Sequence, residues 1–328
     1  MKRFWLLLGV IVVILLFKTD TAWAGGVQLD YTRLELELEE YLKGQQGTYG
    51  VYVQDMRTGA WMGINEAGAF HAASTFKLYL NLYLYEQIAA GRVNPQAKLT
   101  FLEKHAEGGT GYLQHKPLGS QFTVAELSRA SIVYSDNVAT NMLLDYLGRA
   151  NVKTFMKRMG CRVVDYRRNI TCPGDAALCM RQIVEFSRKH PDLGRQLMYH
   201  LSHTVFNERI PAKLPSGIMV AHKIGNWPPT GSYHDVGYVQ HPAYPYVIAL
   251  YSKNTPSFQY ACRVLSEISR RVYEFHNDPV YNVDAVDIDW DVWLQVQKEQ
   301  ICRDADQSLI LRSLVYKIGE VLSQRLDR

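Results

Sequence analysis

Between positions 127 and 184 this 328-residue sequence contains no glutamate. It has five cysteines and no C-x-x-C pair, which excludes the usual zinc-binding and dithiol redox motifs. Internal repeats and low-complexity stretches are absent, so solenoid and linker-dominated architectures are excluded. Charge of one sign is scarce in surplus: 36 Lys and Arg stand against 32 Asp and Glu, a net +4, and no basic stripe is present. That balance excludes a nucleic-acid footprint. The N-terminal apolar run covers 4–17, short of the roughly 20 residues that span a bilayer. No His, Cys, Asp and Glu grouping has metal-ligand spacing, so neither metal nor cofactor is expected.

What is present begins with a targeting pattern. Lys2 and Arg3 precede the apolar run, polar Lys18-Thr19-Asp20-Thr21 follows it, and Ala22-Trp23-Ala24 closes it. This is the n-region, h-region and A-x-A order of a secretory signal, so export is expected, with cleavage after Ala24 favoured over an uncleaved anchor. Removing residues 1–24 leaves a net charge of +2. Only three residues precede the apolar run, which argues against a signalling domain on that side. Export permits disulfides: Cys161 with Cys172 or Cys179 is one reading, and buried free thiols are the other. A hydrophobic fraction of 47% fills a substantial core, enough for two ordinary domains or one discontinuous fold of two lobes.

Apolar spacing predicts an amphipathic helix over 31–43, with Leu34, Leu36, Leu38, Tyr41 and Leu42 among acids, ending at Gly44. Residues 48–54 and 60–64 read as two strands around a turn at Arg57-Thr58-Gly59. From 74 to 90 the chain is apolar on nearly every face and stops at Gly91, so this helix belongs inside the protein. Helical patterns dominate from 124 to about 214. Strand patterns return at 218–224, 233–240 and 246–251, and a last helix covers 258–275. Strands at both ends with helices between them predict an α/β (α+β) fold: a five-stranded antiparallel sheet flanked by terminal helices, with an all-helical lobe inserted. The sheet lobe takes 30–72 and 215–276 of a catalytic domain at 25–276, and the helical lobe takes 73–214. Residues 277–328 form a C-terminal helical extension with an apolar stripe from Leu311 to Leu322, expected to pack on the main body rather than to face a partner or membrane.

Three short motifs carry chemistry. In Ser74-Thr75-Phe76-Lys77 a serine and a lysine three apart share a helical face. Burial lowers an amine's pKa, and so does a second cation, so Lys77 can act as the base that a serine nucleophile needs. Ser74 also opens the helix, where free N–H groups and the dipole favour an oxyanion. Ser135-Asp136-Asn137 lies 61 residues on, before a helical run, and Lys223-Ile224-Gly225 falls on a strand. Singly each motif reads as a cap or turn.

In this order the three resemble the S-x-x-K, S-D-N and K-T-G set of class A β-lactamases and penicillin-binding proteins, over about residues 30–275. The resemblance implies that Ser74 is acylated, that Ser135 relays a proton to the leaving nitrogen and that Asn137 holds the substrate amide. It also implies that Asp136 ties its loop to backbone amides, that Lys223 binds a carboxylate or supports Ser135, that Gly225 admits substrate to the strand, and that Asn226 offers an oxyanion N–H beside that of Ser74. Ile224 departs from the pattern, where a hydroxyl helps hold the carboxylate. The family's deacylating glutamate is missing too. The segment 160–177 looks like its loop with a stretch deleted, leaving Asp165 as the substitute base, one methylene shorter. Asp175, after Pro173-Gly174, reads as a helix-start residue. His71 and His222 flank the motifs, where structural roles compete with lining the cleft. His234 and Asp235 face opposite sides of a strand, which excludes a relay between them. Tyr112 is a candidate rim aromatic.

The implied activity is an exported serine hydrolase, expected as a monomer, that opens β-lactams or cleaves D-alanyl-type cell-wall peptides through acyl-Ser74, with slow deacylation. The alternative is a D,D-peptidase-like enzyme or a penicillin-binding, sensing protein that acylates without turnover. The fate of the adduct discriminates them.

Overall fold

The computed structural model describes residues 29–277. The leader pattern at 1–24, the extension from 278 onward with its apolar stripe, and Cys302 lie outside the described residues.

Helix α1 (Thr32–Lys43) buries Leu34 and Leu38, one turn apart, and turns its glutamates outward. Strands β1 (Thr48–Asp55) and β2 (Trp61–Ile64) pair as a hairpin, Val51 opposite Ile64. The Asp55 carboxylate accepts from the backbone N–H of Arg57 at 2.7 Å and of Thr58 at 2.6 Å, which makes the turn. After β3 (Phe70–His71) comes α2 (Phe76–Ala89), buried from Phe76 through Leu82, as its lack of a polar face predicts. Two short strands, β4 (Lys98–Thr100) and β5 (Gln121–Thr123), pair before α3 (Val124–Val133), which starts with a Thr123–Glu126 capping box. Helices α4 (Asn137–Leu147) and α5 (Arg149–Arg158) follow. Then β6 (Ile170–Thr171) pairs back on β3, and α6 (Pro173–Lys189) and α7 (Pro191–Ser202) complete the helical lobe.

The chain returns as β7 (Val220–Trp227), β8 (Ser232–Val239) and β9 (Tyr246–Lys253), then α8 (Phe258–Asn277). The sheet is antiparallel with order β2-β1-β9-β8-β7. This is the α+β architecture that the order of patterns predicts. Central β9 shows why its sequence is apolar from Tyr246 to Tyr251. Ile248 and Leu250 face the cluster with α1 and α8, while Val247, Ala249 and Tyr251 face the helical lobe. Each such buried aliphatic side chain contributes about 1.5–3 kcal/mol. Strand β7 runs three residues past the expected end, to Trp227, because its pairing with β8 holds to Ser232; Pro228 then ends it. Thus β7 is an edge strand, and the helical lobe meets it there.

Candidate active site

Ser74 stands between β3 and α2, in a 3-10 turn (Ala73–Thr75) rather than on the α-helix itself. Ala73 has a positive φ of 48°, costly for a residue with a Cβ by about 1–3 kcal/mol. Long-range bonds hold the turn. The Ala72 N–H donates to Asn169 O at 2.8 Å, and Asn169 Nδ2 donates to Ala73 O at 3.1 Å. Thr75 Oγ1 donates to Ala72 O at 2.6 Å and meets Tyr251 Oη of β9 at 2.8 Å. Ser74 is half-buried.

Lys77, one turn into the lobe, is 4% exposed. Its amine donates to Ser135 O, to Asn137 Oδ1 at 2.9 Å and to Ser135 Oγ at 3.2 Å. These bonds use all three donors of an ammonium. Burial pushes its pKa down to about 7, against the opposing pull of Asp136 and Glu107. Lys223, fully buried, donates to Ser135 Oγ at 3.0 Å and to Ile224 O at 3.0 Å. Burial, with the Lys77 charge second, holds it well below its ordinary value. One hydroxyl, Ser135 Oγ, therefore sits between two amines whose charged forms burial disfavours.

Ser135 has a positive φ of 52°, and its carbonyl also accepts from Thr110 Oγ1 at 2.7 Å. Asp136 caps α4: its Oδ1 accepts from the Ala139 N–H at 2.9 Å and its Oδ2 from the Leu113 N–H at 2.8 Å. Asn137 is tied to the facing loop through Nδ2 to Gly108 O at 2.9 Å. That loop comes this close because of Gly111, at φ 99°, where a Cβ would lie 2.2 Å from Asp136 Cγ. Gly111→Ala is expected to lower stability by about 2–4 kcal/mol, read as a fall in Tm. An unchanged Tm would contradict this packing.

On β7 the side chains alternate: Lys223 and Gly225 face the Ser74 turn, and His222, Ile224 and Asn226 face away. Gly225 has a packing use beside the expected one. A Cβ there would lie 3.1 Å from Ala72 O and 3.2 Å from Ala73 Cβ, so the glycine admits the Ser74 turn itself. Asn226 Oδ1 accepts from Arg209 Nη2 at 2.5 Å, and Arg209 Nη1 donates to His234 O at 3.1 Å. Arg209 is 1% exposed and has no carboxylate partner among the described residues. His222 Nδ1 lies 2.9 Å from Asp235 Oδ1 across the β7–β8 ladder, and both are buried on the face away from Lys223. His234 Nε2 bonds His71 O at 2.8 Å. His71 itself stacks on exposed Trp227, ring centroids 4.3 Å apart, and its ring Nδ1 accepts from the Ala73 N–H.

Asp165 is held elsewhere. Its Oδ1 accepts from the N–H groups of Arg167 at 2.8 Å and Arg168 at 2.9 Å, and Oδ2 pairs with Arg168 Nε at 2.7 Å. These bonds hold its carboxyl well below the usual carboxylate range. Asp175 binds the N–H groups of Arg162 and Val163, the structural role read from its helix-start position. Asn169, from the same loop as Asp165, does reach the Ser74 turn, and its Oδ1 is buried with no hydrogen-bond partner among the described residues. Asn169, Arg209 and Thr110 are the residues that sequence reasoning missed. The one signal available was an asparagine late in the shortened loop; nothing local marks Arg209 or Thr110. Cys161, Cys172, Cys179 and Cys262 are free thiols, the first three buried. No cluster of three or more His, Cys, Asp and Glu among the described residues has metal-holding geometry.

The sequence model of a family described as "Beta-lactamase enzyme family" matches residues 33–276. The carbapenem-hydrolysing β-lactamase KPC of Klebsiella oxytoca is 29% identical over 244 residues, 66% of this chain and 81% of that protein. The solved structure of PBP-A has a TM-score of 0.71 at 28% identity, covering 76% of this chain and 99% of PBP-A. A PBP-A variant captured as its acyl-enzyme with penicillin G has a TM-score of 0.70 at 27% identity, covering 75% of this chain and 97% of that one.

Proposed function

Because the chain belongs to the β-lactamase enzyme family, we propose that it is an exported serine hydrolase that acylates Ser74 with β-lactams or D-alanyl peptides and releases the acyl group slowly. The observation that carries the proposal is the convergence of Lys77 and Lys223 on Ser135 Oγ, at 3.2 and 3.0 Å, behind the Ser74 turn. Export rests on the Lys2, Arg3 and Ala22-Trp23-Ala24 pattern.

Neutral Lys77 takes the proton of Ser74 Oγ, which attacks the amide carbonyl. The N–H groups of Ser74 and Asn226 receive the oxyanion, and the buried Arg209 charge behind Asn226 deepens the positive field there. The proton then passes through Ser135 Oγ to the leaving nitrogen, the C–N bond breaks, and acyl-Ser74 and an amine remain. Asn137 holds the substrate amide. Lys223, bonded to Ser135 Oγ and Ile224 O and with its charged form disfavoured by burial, supports Ser135 more than it binds a carboxylate.

Hydrolysis of the acyl group needs a base for water. Both oxygens of Asp165 are taken by Arg167 and Arg168. Asn169 Oδ1 can accept from a water but, as an amide, cannot remove its proton. Acylation is therefore served and deacylation is not. With a chromogenic cephalosporin we expect a burst of about one product per enzyme followed by slow turnover. Asp165→Asn should leave the adduct lifetime within about twofold of wild type, checked by mass spectrometry. A much longer lifetime would restore Asp165 as the base. The same absent base favours, as second reading, a penicillin-binding protein whose physiological acyl donors are D-alanyl peptides.

A further inference from the structure

A cleft of about 430 Å³ adjoins the segment that carries Ser135, lined by Thr110, Tyr112, Arg129, Tyr134, Val205 and Phe206 among others. We infer that this cleft receives the departing half of the substrate, and that Arg129 selects leaving groups which pair an aromatic or apolar body with a carboxylate. The inference rests on the acyl-Ser74 reading above.

The location comes from the backbone. Tyr134 immediately precedes Ser135, Thr110 Oγ1 donates to Ser135 O at 2.7 Å, and the Val205 N–H donates to Val133 O at 3.2 Å. The walls of the cleft are thus the segments that position the proton-donating hydroxyl, and an atom protonated by Ser135 Oγ departs beside them.

The chemistry comes from the lining. Tyr112 and Tyr134 meet edge to face at 5.3 Å, and Val205 is 55% exposed, so the walls offer apolar surface open to solvent. The Arg129 guanidinium lies 5.5 Å from the Tyr134 ring centroid, exposed, with no carboxylate partner among the described residues. The nearest acid on its own helix, Glu126, is committed to the Thr123 cap. Its Nη2 makes one long hydrogen bond, to Tyr134 Oη at 3.4 Å, which leaves the rest of the fork open to a carboxylate.

The other cations near Ser135 are engaged. Lys223 is fully buried and bonded to Ser135 Oγ and Ile224 O; Lys77 is bonded to Ser135 and Asn137; Arg209 is bonded to Asn226 and His234. Ile224 carries no hydroxyl and faces away from the Ser74 turn. An anionic leaving group therefore meets its available positive charge at Arg129.

The test uses two aryl esters with one N-acylglycine acyl half. One releases meta-hydroxybenzoate and the other the isosteric neutral meta-hydroxybenzamide. Wild type should favour the carboxylate ester by about tenfold in kcat/KM, and the preference should shrink at high salt. Arg129→Gln should bring the ratio close to parity, with Arg129→Lys between. Equal handling of the two esters by wild type, or a ratio that Arg129→Gln does not move, overturns the inference. Penicillin labelling of the same wild-type preparation separates the two levels. An adduct on Ser74 with an unresponsive ratio removes Arg129 alone, whereas no adduct on Ser74 removes the acyl-Ser74 reading and this inference with it.

Discussion

Ser74→Ala is expected to abolish the penicillin adduct and to lower hydrolysis of a chromogenic cephalosporin by at least roughly 10³-fold. The size follows from what the substitution removes. The turn at Ala73–Thr75, with its positive φ at Ala73, is held by Asn169, Thr75 and Tyr251, none of which bonds the Ser74 hydroxyl. Alanine therefore deletes the nucleophile and leaves its support in place, so stability should change by no more than about 1 kcal/mol. Equal thermal denaturation of the two proteins, with labelling in wild type alone, is the expected pair of results. Equal labelling of both would place the nucleophile elsewhere.

Lys77→Ala should slow acylation by about 10²–10⁴-fold, the contribution of a positioned base. It also removes a donor from Ser135 O and Asn137 Oδ1, a cost of about 1–3 kcal/mol, so a lower Tm accompanies the loss of rate. The pH dependence separates the two effects. In the proposed mechanism the base is the neutral amine, and burial brings the Lys77 pKa down to about 7. Below that value the neutral fraction falls with each proton gained, so the wild-type acylation rate should drop about tenfold per pH unit. Above it the rate should level off. The variant should lose this limb of the profile. A Lys77→Ala protein that acylates at the wild-type rate with the same midpoint would show that another group takes the proton.

Much of the fold is legible in the sequence because burial leaves a periodic trace. The absence of a polar face on 76–89 marks α2 as internal, and the unbroken apolar run of β9 marks a strand covered on both sides. The capping power of Asp136 is legible too, since a short acid before an apolar helical run has few other uses. What the sequence conceals depends on contacts between distant segments. Gly225 reads as room for substrate, and only the structure shows that it also makes room for the Ser74 turn, distant in sequence. Nothing local marks Ala73 for a left-handed backbone; β7, β9 and Asn169 impose it together. The pairing of His222 with Asp235 arises from the β7–β8 register, which no sequence pattern prints. Asp165 has the right residue type near the right place, and only the positions of Arg167 and Arg168 show that its oxygens are taken.

The central claim is that acylation of Ser74 is served and deacylation is not. Intact-mass spectrometry over time, with a small excess of benzylpenicillin, tests it most directly. The account predicts that nearly all of the protein gains the mass of one intact penicillin, that proteolysis maps it to the Ser74 peptide, and that the adduct outlasts the acylation phase while most free penicillin stays unhydrolysed. Rapid consumption of penicillin with no accumulated adduct, or no adduct at all, would contradict it.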